Sequence, residues 1–211
     1  MDLSLPQGRR EARKADRRRA ILDVAERSFR ERGFADTSMS TIAAELGGSK
    51  TTLWTYFPSK DALFEAVVDS KIEAFQAKLD DALIPSGGTA AALARFGLLL
   101  LNKILDPHSV GLHRLVVSES ERFPQIGEAF AVRGPDRVRA RLCRYMEEEM
   151  AAGRLRKGDP MTAARQFLGL CQSGCYLERF WRPGRRASSD PLTDVGNAVD
   201  TFMRAWGPEA Q

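Results

Sequence analysis

The chain has few cysteines and no long apolar segment, and each shortage excludes a class of protein. Its three cysteines, Cys143, Cys171 and Cys175, are odd in number and lack a secretory context, so we expect no framework of structural disulfides. No apolar run is long enough to cross a bilayer, and the arginine-rich N-terminus lacks the apolar segment of a signal peptide. We therefore predict a cytoplasmic protein with no membrane partner.

The sequence also lacks the motifs that organise common enzyme active sites. It contains no nucleophile elbow, no metal signature and no glycine-rich phosphate loop, and its histidines and cysteines do not have the spacing of a zinc site. The acidic run Glu147-Glu148-Glu149 is typical of a solvated helix face. A helical enzyme stays an alternative, but we predict a protein that is not an enzyme and that holds no metal and no cofactor.

Positive charge is concentrated near the N-terminus. Residues 1–60 hold 12 lysines and arginines against 8 acids, whereas the remaining residues hold 20 of each, so the first part carries the whole net charge of +4. Basic side chains recur through residues 9–19, and the only acids among them are Glu11 and Asp16. Such a run is either a solvated tail or an arm that neutralises phosphates, and the motif that follows favours phosphates. We assign residues 1–16 to a basic N-terminal arm.

A short segment downstream, residues 47–60, is the most informative part of the sequence. Two glycines precede it, Ser49 is placed to cap a helix and Pro58 cannot continue one, so the pattern predicts a helix of barely two turns. So short a helix needs tertiary contacts, and Leu53 and Phe57 lie one turn apart on a single face that can supply them. The threonines and aromatics between them then point toward another partner.

Apolar residues at helical spacing continue through the chain, and no alternating strand pattern appears. The first helix is predicted to end at Gly33, the second to begin after Thr37 or Ser38, and the fourth to start at Ser59. Asp-Pro pairs at residues 159–160 and 190–191 favour the starts of the last two helices.

Two short helices joined by Gly47-Gly48 inside a three-helix unit form a helix-turn-helix, in which the second helix enters the major groove of DNA. Such pairs also occur in ordinary helical bundles. We predict an all-α fold of about nine helices, with a helix-turn-helix DNA-binding domain at residues 17–64 and a second helical domain at residues 65–211.

The motif belongs to a longer pattern of residues. The pattern runs from Ile21-Leu22 through Gly33-Phe34, Thr37-Ser38-Met39, Ile42-Ala43, Ser49-Lys50, Thr52-Leu53-Trp54 and Tyr56-Phe57 to Leu63-Phe64. Over residues 17–65 it strongly resembles the N-terminal domain of TetR-family transcriptional regulators. Gly48 in the turn and Trp54 in place of the usual tyrosine depart from the family pattern but remove no recognition element.

The resemblance implies that this domain binds a double-stranded DNA operator. Lysines and arginines would neutralise phosphates, while threonines and aromatics would read base edges and thymine methyl groups. A protein that compacts DNA without sequence preference is the alternative. The residues predicted to contact DNA are Arg17, Arg18, Ser38, Ser40, Ser49, Lys50, Thr51, Thr52, Trp54, Thr55, Tyr56 and Lys60.

The second half resembles, more loosely, the regulatory domain of the same family. That resemblance implies a small-molecule effector of unidentified chemistry, held inside residues 65–211, and a homodimer formed through the last two helices. The pocket candidates, most of which are equally expected in an ordinary core, are Phe96, Leu100, His113, Phe130, Tyr145, Phe167, Cys171 and Tyr176. The interface candidates are Phe167, Leu168, Val195, Val199, Phe202 and Trp206.

These features together predict a sequence-specific transcriptional regulator. Repression that is relieved by ligand is the commonest behaviour in the family, and activation is the alternative. We expect a palindromic operator bound by a dimer through the helix at 49–57, with half-sites about one helical turn, roughly 10 base pairs, apart or a multiple of it. The fourth helix would carry the effector's signal to the DNA-binding domain. A thiol switch at Cys171 and Cys175 is a weaker hypothesis.

Overall fold

The computed structural model describes residues 5–47, 50–84, 86–182 and 184–208, and within these ranges the chain forms eleven helices and no strand. The predicted all-α class is confirmed, and the predicted count of about nine is close to the eleven observed. The helices are α1 (Leu5–Arg32), α2 (Met39–Glu45), α3 (Lys50–Tyr56), α4 (Lys60–Ala82), α5 (Gly88–Leu105), α6 (Pro107–Glu119), α7 (Pro124–Arg133), α8 (Pro135–Ala151), α9 (Pro160–Gln172), α10 (Cys175–Trp181) and α11 (Pro191–Trp206).

The N-terminal helix is longer than the sequence pattern predicted. It begins at Leu5 and runs through the segment assigned to an arm, so residues 9–16 are helical and exposed. Periodicity missed this segment because it has no apolar stripe before Ile21. The helix ends where expected, since Gly33 follows with a φ of +85°, a left-handed conformation that favours glycine.

Three predicted helix caps are present. Ser38 caps α2 by accepting a hydrogen bond from the Thr41 amide at 3.1 Å. Asp159 caps α9 by accepting from the Thr162 amide at 2.7 Å, and Asp190 caps α11 by accepting from two amides at 2.9 and 3.1 Å. Prolines occupy the first positions of α9 and α11, where the missing N–H costs nothing.

By compactness the chain forms two units. The first contains the residues up to Lys71 together with Gly111–Arg133, and the second contains Ile72–Val110 together with the residues from Gly134 onward. The divisions fall inside α4 and α6, so most of α6 and all of α7 group with the helix-turn-helix. The domain boundary predicted between residues 64 and 65 stays a prediction.

The core of the first unit is a cluster of aromatic rings. The Phe34 ring centroid lies 5.5 Å from those of Phe29 and Phe64 and 5.2 Å from that of Phe123. These distances are typical of favourable aromatic pairs, and they join α1, α4 and the segment before α7 to the turn that precedes α2.

The core of the second unit is built mainly from α5, α8, α9 and α11. A Cβ atom added to Gly97 would lie 2.9 Å from Cγ1 of Val195, so α5 and α11 approach closely at this glycine. By length and composition α5 is the one helix in the described ranges that could cross a membrane. Its residues Leu93, Phe96 and Leu101 are fully buried in this core, however, and core helices pass the same test.

Candidate nucleic-acid interface

The helix-turn-helix is formed by α2 and α3. Met39, Ile42 and Ala43 of α2 are buried, and Leu53 of α3 is 2% exposed. Phe57 directly follows α3 and is 4% exposed, as its spacing from Leu53 predicts. This apolar face therefore fixes α3 to the rest of the unit, although α3 has only seven residues.

The opposite face of α3 is open to solvent. Thr51, Thr52 and Thr55 are exposed, and Trp54 keeps 48% of its surface accessible, whereas Tyr56 is half-buried. The hydroxyl of Thr55 donates a hydrogen bond to the carbonyl of Thr51 at 2.9 Å, so its proton is already engaged within the helix. The outward surface of Thr55 is therefore its methyl group and the free acceptor side of its oxygen.

Several other residues predicted to contact DNA lie outside the exposed face of α3. Ser38 and Ser40 are both exposed at the start of α2, so Ser38 caps the helix and is also accessible at the surface. Ser49 lies outside the described residues, and Lys50 is described only as the first residue of α3. Arg17, in α1, is half-buried.

Polar contacts, some exposed and some buried, fix α2 against α1. The Glu45 carboxylate at the end of α2 is hydrogen-bonded to Arg32, lies 3.7 Å from a guanidinium nitrogen of Arg27 and accepts from the Ser28 hydroxyl at 3.4 Å. The Arg32 hydrogen bond is the main cause that lowers the pKa of Glu45. The buried Thr37 hydroxyl lies 2.7 and 3.1 Å from two carbonyls at the end of α1.

Lys60 makes internal contacts that the sequence did not predict. Its ammonium group donates to the carbonyl of Phe34 at 2.7 Å, lies 3.4 Å from that of Ala35, and sits 4.3 Å from the centroid of the Phe34 ring. Burial lowers the pKa of Lys60. The predicted phosphate ligand is thus also a structural contact of the turn before α2.

Glu119 binds the backbone of the same turn as Lys60. One of its carboxylate oxygens accepts from the amide of Phe34 at 3.0 Å and from that of Ala35 at 3.3 Å. A Cβ atom at Gly33 would lie 2.7 Å from the same oxygen. No local sequence pattern indicates this role, because Glu119 is 84 residues or more from the amides it binds.

The pocket candidates are divided between the two units. His113 and Phe130 belong to the first unit, where their rings stack with centroids 5.6 Å apart, and burial lowers the pKa of His113. The remaining candidates are buried in the second unit and are Phe96, Leu100, Tyr145, Phe167, Cys171 and Tyr176. Burial raises the pKa values of Cys171 and Cys175 to about 12, which opposes the thiolate that a redox switch requires.

The interface candidates differ in exposure. Phe167, Val195, Phe202 and Trp206 are at most 6% exposed and pack in the core of the second unit, and the predicted interface stays a prediction. The Trp206 indole N–H donates to Gln166 at 2.7 Å, which anchors the end of α11 to α9. Of the predicted set, Leu168 and Val199 are half-buried and keep accessible surface. From the sequence pattern alone, the buried apolar stripe of α11 could not be distinguished from the partly exposed one.

The fold and this surface define a DNA-binding regulator of the helix-turn-helix class. Residues 21–67 match the tetR family of bacterial regulatory proteins, and residues 91–208 match the C-terminal domain of AefR-like transcriptional repressors. The chain therefore belongs to the TetR family of transcriptional regulators, and it is a regulator rather than an enzyme.

Similar proteins support the same assignment. The Flavonoid-responsive Regulator FrrA is 32% identical with a TM-score of 0.79, and the match covers 93% of this chain and all of that one. A TetR-family regulator from Mesorhizobium loti is 26% identical over 92% of this chain and 98% of that one, with a TM-score of 0.80. The regulator EthR of Mycolicibacterium smegmatis is 38% identical over 80 residues, which is only 37% of each chain.

Proposed function

We propose that this chain represses transcription in the cytoplasm by binding a palindromic operator as a homodimer, and that a small-molecule effector releases it. The observation that carries the proposal is the division of α3 into a buried face, with Leu53 beside Phe57, and an exposed face of threonines and Trp54. A rigidly held helix with such an outer face fits the major groove, where threonine and aromatic groups contact thymine methyls and base edges.

Thr55 allows a sharp test of base reading, because its hydroxyl proton is engaged by the carbonyl of Thr51. If Thr55 reads a thymine methyl through its own methyl group, Thr55→Ser removes that contact, whereas Thr55→Val keeps it. We expect Thr55→Ser to relax the preference at one operator position by about 0.8 kcal/mol, the contribution of one buried apolar carbon, and Thr55→Val to retain it. Selection of bound sequences with each variant measures this, and equal preferences for both variants would reject the assigned role.

The dimer is supported by a second apolar stripe on α11. Leu192, Gly196, Val199 and Met203 lie within about 60° of one another at about 100° per residue, and they are exposed or half-buried. The buried stripe of the same helix lies directly beside it. A stripe of this kind at the surface is typical of a protein interface. We propose that it packs against the same stripe of a second copy, together with Leu168.

Sedimentation of matched variants tests the dimer. Val199→Arg places a charge in the stripe, and Asn197→Arg places the same charge on an exposed position outside it. We expect monomers for Val199→Arg and dimers for Asn197→Arg. Dimers for both variants would show that the interface lies elsewhere on the chain.

The effector is proposed to bind among the aromatic residues of the second unit. The hydroxyl of Tyr145 is buried and has no hydrogen-bond partner among the described residues, and burial raises its pKa to about 12. A neutral phenol without a partner can serve a polar group of a ligand at little cost in desolvation. FrrA is named as flavonoid-responsive, so flavonoids are the first compounds to test.

Thermal shift measures this binding without DNA. A ligand present at 100 times its Kd stabilises the native state by about 2.7 kcal/mol, which is readily detected. We expect an effector to raise the melting temperature of Tyr145→Phe less than that of the unchanged protein. The same compound should release the unchanged protein from DNA. A compound that raises the melting temperature but leaves DNA binding unchanged would argue against an effector role.

The proposed carrier of the signal is α4, which is held by an arginine in each unit. In the first unit Arg133 binds Glu65 at 2.6 Å and Asp69 at 3.2 Å. In the second unit Arg141 donates to the Gln76 carbonyl at 2.9 Å and is also paired with an aspartate of α4. These contacts support a helix that responds as one element when an effector favours one of two conformations.

A further inference from the structure

The first half of α1 carries a continuous cationic face. At about 100° per residue, six basic positions fall within about 180° of the helix circumference, and the two acids of the segment, Glu11 and Asp16, lie at the edges of this arc. Arg19 points away from it. All six are helical, and five are exposed while Arg17 is half-buried. We call this surface the α1 basic face, and its residues are Arg9, Arg10, Arg13, Lys14, Arg17 and Arg18.

The α1 basic face lies partly on the side of α1 that packs in the first unit. Its arc overlaps that of Ile21 and Ala25, which are buried where α1 packs in the first unit. At its C-terminal end the guanidinium of Arg18 stands 5.5 Å from the centroid of the Phe57 ring, at the end of α3. The C-terminal end of the basic face therefore lies close to the end of α3.

Repulsion among the positive charges of this face destabilises the helix that carries them. Arg9 and Arg13, Arg10 and Lys14, and two further pairs stand four residues apart, and like charges at that spacing destabilise an isolated helix. Residues 8–16 are all exposed, so this part of the helix gains little from burial. A partner with regularly spaced negative charge would remove the repulsion and stabilise the helix.

We propose that the α1 basic face is a second DNA-binding element, which binds backbone phosphates beside the groove entered by α3 and becomes a more stable helix when it does so. The proposal rests on the proposed function. It goes beyond a flexible arm because it assigns the contacts to one face, and it predicts that Arg19, on the opposite face, takes no part.

A matched pair of single substitutions tests the assignment on the full chain. Arg13→Gln and Arg19→Gln each remove one positive charge from the same helix, but only Arg13 lies on the α1 basic face. Affinity for random-sequence duplex DNA is measured as a function of salt. Each lost phosphate contact lowers the salt slope by about 0.9, so the deficit of Arg13→Gln should shrink about threefold per protomer between about 50 and 200 mM salt. Arg19→Gln should keep the slope of the unchanged protein.

Amide hydrogen exchange tests the stabilisation of the helix. We expect residues 9–18 to exchange more slowly when duplex DNA is added, and the change to be smaller in Arg13→Gln than in Arg19→Gln. Equal salt slopes for the two variants, or no change in exchange on DNA binding, would overturn the proposal. So would binding of the face to anionic lipid vesicles, if Arg13→Gln weakened that binding and left the DNA slope unchanged.

A different experimental result would refute the proposed function. If the unchanged protein shows no preference between selected and random duplexes, the regulator proposal is refuted whatever the slopes of the arginine variants. If that preference is strong and the slopes of the two variants are equal, only the role of the α1 basic face is refuted.

Discussion

The turn between α1 and α2 should depend on Glu119 for its stability. The carboxylate accepts from the amides of Phe34 and Ala35, and Lys60 donates to the carbonyls of the same two residues. The turn thus has its amides bound to a carboxylate of α6 and its carbonyls bound to an ammonium of α4. Glu119→Ala leaves the two amides without this acceptor.

The expected loss follows from the burial of those amides. Phe34 is 1% exposed, so its N–H has little access to water, whereas Ala35 is half-buried and can recover part of its hydrogen bonding. A buried donor without a partner costs about 1–3 kcal/mol. We therefore expect Glu119→Ala to lower the free energy of unfolding by about 2–3 kcal/mol, or the melting temperature by about 4–12 °C for a chain of this length.

Calorimetry and urea unfolding of two matched variants measure the effect. Glu119→Gln keeps a neutral acceptor and should lose about half as much stability, because hydrogen bonds to a charged group are roughly twice as strong. Glu121→Ala removes an exposed carboxylate two residues away and should change stability by less than about 0.5 kcal/mol. A Glu119→Ala protein as stable as Glu121→Ala would show that the turn does not depend on this carboxylate.

Three further predictions concern the second unit. Gly97→Ala should destabilise the protein by about 1–3 kcal/mol in thermal unfolding, because the new Cβ would lie 2.9 Å from a valine methyl of α11, and unchanged stability would mean that the helices separate easily. The hydrogen bond from Arg154 lowers the pKa of the buried Glu149, so the stability that this pair contributes is present at neutral pH and is lost as the pH falls through the lowered pKa. Glu149→Gln should therefore weaken the fall in stability at acid pH, and a pH profile of stability identical to that of the unchanged protein would contradict the assignment. Cys171 and Cys175 should resist alkylation at pH 8 until the protein unfolds, because burial raises both pKa values to about 12, and rapid modification of the native protein would reopen the redox hypothesis.

The sequence was sufficient where structure depends on local signals. The left-handed Gly33, the Ser38 cap and the spacing of Leu53 and Phe57 each determine local geometry through neighbouring residues, and all three have the predicted form. The same local signals could not predict that the basic N-terminal segment is helical, because helix formation there leaves no apolar pattern.

Contacts between distant parts of the chain were not predictable in the same way. The partnership of Glu119 and Lys60 at one turn depends on folding of the first unit, and neither residue type nor spacing indicates it. The interface candidates show the same limit, because Val195 and Val199 are equally apolar in the sequence. Only the packing of α11 shows that Val195 is 1% exposed while Val199 keeps accessible surface.

Reading of a specific DNA sequence by the exposed face of α3 is the function proposed for this chain. Binding of duplexes selected from the source genome is compared with binding of random duplexes at one fixed salt concentration. We expect at least about a thousandfold tighter binding to the selected site, and a large part of that preference should be lost when Thr51 and Thr55 are both changed to alanine. Equal binding to selected and random duplexes, or a preference unaffected by the two substitutions, would contradict it.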